Sequence, residues 1–404
     1  MARLPDGDPA PPDGALPPGA LAGLHDAPFG VYIHVPFCAS RCGYCDFNTY
    51  VPGEGGAESV AGYADALIAE LALARRVLGD DAPAATTVFF GGGTPTLLPP
   101  EELARILAAV RDHLGIEDGA EITTEANPES VGPAELTALR EAGFTRISLG
   151  MQSAVPSVLA TLNRQHSPGR AAQAATEARA AGFDQVSLDL IYGAPGESAA
   201  DWETSLHAAT AARPTHVSTY SLVVEPGTLL AAQVRRGEVQ VPGEEVIVER
   251  FETADRVLAT AGYDWYETCS WAVDDTARCR HNLGYWSGGN WWGAGPGAHS
   301  HVGGVRWWNA LHPRTWAAHV QAGTSPAAGR EIPDGDAVRL ERVMLGLRLR
   351  DGISLDALTP NGRAAAARQL DEGLLDRDAH AAGRAALSQA GRLLADPVCV
   401  ALAA

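Results

Sequence analysis

The chain contains no lysine; all 30 of its basic side chains are arginine. Beside so much alanine and glycine, this reads as a composition bias and not as a functional choice. Long hydrophobic runs are also missing. No stretch of eighteen apolar residues occurs, so a transmembrane helix is not expected. The start, Met1-Ala2-Arg3-Leu4-Pro5, lacks the apolar core of a signal peptide, and a cytoplasmic location is expected. Positive charge is short as well. A formal net charge of −19 argues against a nucleic-acid-binding surface. It also disfavours broad attraction to anionic membranes, while leaving room for transient docking to a membrane protein through a local patch. Cysteine is scarce, with six residues, of which Cys269, Cys279 and Cys399 are scattered. Scattered free thiols suit a reducing compartment.

The other three cysteines are concentrated. Cys38, Cys42 and Cys45 fall within eight positions, spaced C-x3-C-x2-C, directly after the apolar run Val31-Tyr32-Ile33-His34-Val35. Three thiolates in one short loop can converge on a soft metal centre. Zinc would need a fourth ligand, and no fourth cysteine lies close enough for the usual paired spacing. His34 could supply one, but it sits on the strand leading in. A 4Fe–4S cluster held by three cysteines keeps one iron open to another ligand.

Around this loop the chain alternates. Strands are expected at 31–35, 87–90, 121–125, 146–150, 186–191, 216–222 and 263–268. Amphipathic helices are expected at 59–78, 101–114, 134–142 and 246–261. Repeated β-α units imply a parallel sheet with right-handed crossovers. The sequence divides into a disordered Pro/Gly-rich tail over 1–27, a core domain over 28–269, and a smaller, mainly helical domain over 270–404. Helices at 337–349 and 364–370 belong to the last. The segment 278–308 is rich in Gly, Trp and His and shows little periodicity.

Polar residues and glycines stand where strands end. Gly91-Gly92-Gly93-Thr94-Pro95 follows the second strand; alone, such a run is more often a turn than a site. Glu125 ends a strand, Gln152 follows one, and Arg164 lies in the next loop. Asp189 sits inside an apolar strand, where a carboxylate needs a partner or a function. Each taken singly could be structural. Farther on, His281-Asn282-Leu283-Gly284-Tyr285-Trp286 precedes a Trp/Gly-rich stretch ending in Ala298-His299-Ser300-His301. That stretch could be a packing loop between domains. It could also hold a flat apolar ligand, with tryptophans stacking, glycines permitting close approach and a histidine on iron.

In order and spacing these motifs resemble the radical S-adenosylmethionine (radical SAM) superfamily, in the branch of the oxygen-independent coproporphyrinogen III oxidases. The resemblance covers most of the chain from Val31. It implies a partial (β/α)6 barrel holding a 4Fe–4S cluster on Cys38, Cys42 and Cys45. It further implies S-adenosylmethionine bound by Tyr32, Tyr44, Gly92, Gly93, Thr94, Glu125, Gln152, Arg164 and Asp189. One electron from the cluster would cleave the cofactor to a 5′-deoxyadenosyl radical. The HNxxYW motif implies a heme site, with His281 the first choice of ligand and His299 the second. The oxidases carry another cysteine two residues past the third thiol. Here that position is Phe47, and the Cys45-Asp46-Phe47-Asn48 form is similar to the HemW-type heme chaperones of the branch. The expected function is therefore heme delivery to an acceptor protein, with an electron donor serving the cluster. The alternative is an oxidoreductase that decarboxylates coproporphyrinogen.

Overall fold

The structure, a computed structural model, describes residues 4–53 and 62–404. The first residues of the helix expected at 59–78 lie outside that range; the described helix runs Tyr63–Leu78.

Twelve strands form one sheet. They are β1 (Phe29–Val35), β2 (Ala85–Gly92), β3 (Ile116–Ala126), β4 (Arg146–Gln152), β5 (Gln185–Tyr192), β6 (His216–Ser221), β7 (Asp264–Glu267), β8 (Ser270–Ala272), β9 (Asn290–Ala294), β10 (His299–Val302), β11 (Val305–Asn309) and β12 (Ala327–Glu331). Strands β1 to β6 lie side by side in chain order, all parallel. The sheet is not closed on itself, which gives the expected partial barrel. Helices Pro100–His113, Pro133–Ala142, Arg170–Ala180 and Ala199–Ala211 connect the strands.

The two faces of the parallel strands differ, because side chains alternate with a period of two. Val31, Ile33, Val88, Phe90, Ile147, Leu149, Val186 and Leu188 point one way and are fully buried in the main core. Thr87, Glu121, Glu125, Arg146, Ser148, Ser187, Asp189 and His216 occupy the other face. The barrel interior is thus polar, and the sequence pattern of its strands says so.

Two expectations change. The segment before residue 28 is not a free tail. Asp8 exchanges main-chain hydrogen bonds with Arg330, and the helix Pro18–Ala22 leads to Leu24, which is buried. Backbone pairing along an edge strand supplies what the segment lacks in apolar mass. The domain boundary also moves. The segment 278–308 is a helix, Arg280–Trp286, followed by strands of the same sheet. Strand β9 pairs in parallel with β1, and β10 to β12 extend that edge as antiparallel strands. The main core therefore runs past Cys269 to Val320, and a second, separate core begins only at Val343 and includes Leu347, Leu358, Val398 and Leu402. Arg392 ties that small helical unit back. Its guanidinium lies 3.9 Å from the Trp265 ring centre and 3.0 Å from an Asp255 oxygen.

Candidate functional site

The loop after β1 carries all three thiols to the C-terminal ends of the parallel strands. There a cavity of about 420 Å³ opens. Cys38, Cys42 and Cys45 line it together with Tyr44, Gly92, Gly93, Thr94, Glu125, Gln152, Arg164 and Asp189. Residues scattered over more than 150 positions of sequence thus meet at one mouth.

Glycine at 92 and 93 has a local explanation. Gly92 has φ +108°, and a Cβ there would meet the His34 ring at 2.6 Å. A Cβ on Gly93 would meet the Phe37 carbonyl oxygen at 2.5 Å. The cysteine loop is pinned across these glycines, since Thr94 N donates to Phe37 O at 2.7 Å and Gly93 N to Val35 O at 2.8 Å. The glycines let two backbone segments touch. Gln152 is turned toward the cavity by a bulge between β4 and β5, with its own φ at +61°.

The thiols are electrostatically addressed. Arg164 donates from Nη1 to Cys42 Sγ at 3.5 Å and from Nη2 to Gly150 O at 3.1 Å. Thr94 Oγ1 faces Cys38 Sγ at 3.9 Å. Burial raises the Cys38 thiol and pushes Cys45 up to about 11, so both await a positive centre to become thiolates. Among the described residues, no group of three His, Cys, Asp or Glu side chains closes on a single metal ion. Thiols that each bind a different iron of a cluster stand farther apart than the ligands of one ion.

The carboxylates are under strain of another kind. Burial, and secondarily the charge of Asp189, push Glu125 up to about 8; among the described residues its one donor is Gly92 N at 3.1 Å. Burial also raises Asp189, although Ser148 donates to it at 2.7 Å. Two under-solvated carboxylates facing one cavity favour a cationic or hydroxyl-bearing guest. Ser148 and Tyr220 also line this cavity, and no motif flags them. Their signal was strand alternation, which puts them on the face of Asp189.

Two predicted residues lie apart. Tyr32 is not in the large cavity but beside it. Its hydroxyl donates to His34 Nδ1 at 3.0 Å, since His34 Nε2 donates to Asn48 O at 2.9 Å. With both nitrogens engaged, His34 does not act as a fourth ligand. His281 is at the opposite mouth of the barrel, at the N-terminal ends of the strands. It is buried, with Nδ1 2.7 Å from the Thr87 hydroxyl and Nε2 2.8 Å from the Tyr285 hydroxyl. Its ring stacks on Phe89 at 5.1 Å, and burial lowers it to about 4. In this fold both His281 ring nitrogens are engaged by hydroxyls, so a bond from His281 to iron would need one of those hydrogen bonds to break. The expectation for the Trp/Gly stretch is corrected. Cβ atoms on Gly293, Gly295 and Gly297 would strike His299 O, His34 O and Asn48 Nδ2, respectively. Those glycines accommodate protein, not a ligand. Trp292 packs on Trp307, and Trp291 on Tyr285.

The chain is similar to known proteins over most of its length. Residues 32–209 match the Radical SAM superfamily. The heme chaperone HemW of Mycobacterium tuberculosis is 53% identical over 94% of this chain and 95% of its own. That of Synechocystis is 37% identical over 82% and 81%, respectively. Among solved structures, coproporphyrinogen III oxidase from Escherichia coli superposes with a TM-score of 0.78 at 22% identity, covering 95% of this chain and 92% of that one. This last likeness bears on the fold alone.

Proposed function

Since the chain belongs to the radical SAM superfamily and, within it, to the family of the heme chaperone HemW, we propose that it carries heme to an acceptor protein. Membership of the superfamily implies a 4Fe–4S cluster and S-adenosylmethionine. The observation that carries the reading is the meeting of three thiols, one guanidinium and two perturbed carboxyls in one cavity. When bound, the cluster would supply an electron to S-adenosylmethionine.

The residues divide the work. Cys38, Cys42 and Cys45 hold the cluster. Arg164 grips the methionine carboxylate, as a guanidinium can do with two parallel donors. Glu125 and Asp189 face the ammonium group or ribose hydroxyls. Gly92, Gly93, Thr94 and Gln152 form the wall, and Tyr44 closes one side, backed by Val158, Leu162 and Ile191. Tyr32 orients His34 from beneath. Phe47 is 61% exposed beside the thiols. A hydrocarbon ring stands where the oxidase branch has its further thiol, which favours carrying over decarboxylation. No helix among the described residues is long and apolar enough to cross a membrane.

The test is anaerobic. The cluster is reconstituted, and the same sample is assayed for hemin binding and for coproporphyrinogen conversion. Bound hemin with no decarboxylation is the expected result. Decarboxylation by a protein that binds no hemin would overturn the reading.

A further inference from the structure

Arg164 reaches the thiols from a loop, and the backbone of that loop is tied down. After the helix Pro156–Thr161 the chain turns back through Asn163, whose φ is +52°. Arg164 N donates to Leu159 O at 2.9 Å, Gly43 N to Leu162 O at 3.1 Å and Asn163 Nδ2 to Arg41 O at 3.2 Å. These bonds fix the main chain at 164 against the cysteine loop. They do not fix the guanidinium, which ends a long side chain with much rotamer freedom. Gly150 makes room for it, since a Cβ there would meet Arg164 Nη2 at 2.8 Å. Nη2 donates to Gly150 O and Nη1 to Cys42 Sγ. The remaining nitrogen, Nε, donates to His166 Nδ1 at 3.2 Å. His166 is only 6% exposed, and Ser167 N, donating to Glu129 Oε1 at 2.6 Å, anchors the chain just beyond it.

We propose that His166 is a positioning residue for S-adenosylmethionine, its Nδ1 lone pair holding the Arg164 guanidinium aimed into the cavity. The inference rests on the reading that Arg164 takes the methionine carboxylate, and adds the residue that sets it. A guanidinium has five N–H donors. Three are spent on His166, Gly150 and Cys42, which leaves one on each terminal nitrogen. Two free donors match the two oxygens of a carboxylate. The tautomer follows. To accept at Nδ1, the imidazole must be neutral and carry its proton on Nε2. Burial, and then the charge of Arg164, lower His166 to about 4, so at neutral pH it offers a lone pair and not a second cation. Arg164 and Gln165 line the cavity and His166 does not, so His166 acts through the guanidinium.

The test uses the full chain with its cluster reconstituted anaerobically and titrated with S-adenosylmethionine in a calorimeter. His166→Leu removes the acceptor and should weaken binding about tenfold, the scale of a hydrogen bond to a charged group. His166→Asn, whose amide oxygen can accept near the place of Nδ1, should recover most of the wild-type affinity. Iron and sulfide content should stay unchanged in both. In an Arg164→Gln background, His166→Leu should cause no further loss, because nothing is left to position. Nitrogen-15 NMR of the reconstituted wild type, without S-adenosylmethionine, should show His166 protonated at Nε2 alone at pH 7. Wild-type affinity in His166→Leu, an Asn variant as weak as the Leu variant, a full additional loss in the double variant, or a proton on Nδ1 would each overturn the proposal. Unchanged affinity in Arg164→Gln would instead overturn the reading of Arg164 on which it rests. If His166→Leu does not fold, the nitrogen-15 spectrum decides alone.

Discussion

At the N-terminal mouth of the barrel, Glu121 and Arg146 face each other at 3.1 Å. Glu121 also accepts from Arg280 N, His281 N and Cys279 Sγ, while Arg146 donates to the Ala277 carbonyl. Four residues along the same strand, at the C-terminal mouth, Glu125 has a single donor among the described residues, and Arg164 reaches a thiol instead of a carboxylate. The side-chain types are nearly the same at both ends. What differs is how many partners the protein itself provides. The helix carrying His281 plugs the first mouth and gives the Glu121 carboxylate main-chain donors from Arg280 and His281. The second mouth is left incomplete around a cavity. Within one barrel, then, the degree of internal pairing separates a structural polar cluster from a binding one better than residue identity does.

The comparison can be broken most severely at the thiols. Serine at Cys38, Cys42 and Cys45 together should abolish iron and sulfide retention, because an alcohol does not replace a soft thiolate on iron. Serine at Cys269, Cys279 and Cys399 should retain both. Iron and sulfide analysis after anaerobic reconstitution reads the result, and a full complement in the first variant would sink the cluster assignment.

At the plugged mouth the expected damage is to stability. Arg146→Met strands the Glu121 carboxylate in a buried site and should cost about 3–5 kcal/mol, the range for breaking one side of a buried pair. Urea unfolding measures it. An equal loss from Arg164→Met would erase the contrast between the mouths, because Arg164 faces a cavity and is expected to cost far less.

At the open mouth the expected damage is to binding. Arg164→Gln or Asp189→Asn should weaken S-adenosylmethionine by about 1–3 kcal/mol, the scale of a charged hydrogen bond, with the cluster intact. Calorimetry on reconstituted protein decides it; unchanged affinity in both variants would remove these residues from the site.

The smallest effect concerns protons. Glu125 is raised from 4.5 to about 8 in the fold, so the folded, ligand-free protein holds a proton there that the unfolded chain has lost. Stability should therefore fall as pH rises between those values. Glu125→Gln should remove that slope. At the other mouth, His281 is lowered from 6.5 to about 4, so its contribution is present above 6.5 and lost as pH falls through that window. Thermal unfolding of Glu125→Gln and His281→Asn, each against wild type across pH 4 to 9, would show changes of opposite sign, and a common sign would contradict the electrostatic contrast.

Much of this was legible beforehand, for identifiable reasons. The cysteine loop and the parallel strands announce themselves through close spacing and short apolar runs. Strands β9 to β12 did not, because Asn290-Trp291-Trp292-Gly293-Ala294 mixes aromatic and small residues without alternation, and its pairing partner, β1, is remote in sequence. His281 misled for a related reason. Its motif is polar and aromatic, as a ligand site would be, but the groups that satisfy it include Thr87 and Glu121, far away along the chain. The glycines of 293–297 serve close protein contacts that only the folded chain displays.

The parallel pairing of β9 with β1 also bears on how the molecule is made. Strand β1 leads directly into the cysteine loop, and one of its edges is covered by residues 290–294. On the ribosome, that edge stays open until most of the chain has emerged. Strands β1 to β6 can assemble in order as they appear, but the thiol-bearing border of the sheet is finished late. Nascent chains stalled before and after residue 294 should then differ in how readily an external reductant-tolerant alkylating reagent reaches Cys38, Cys42 and Cys45. The fold leaves a period during synthesis when the cysteine loop is formed yet still accessible from its side.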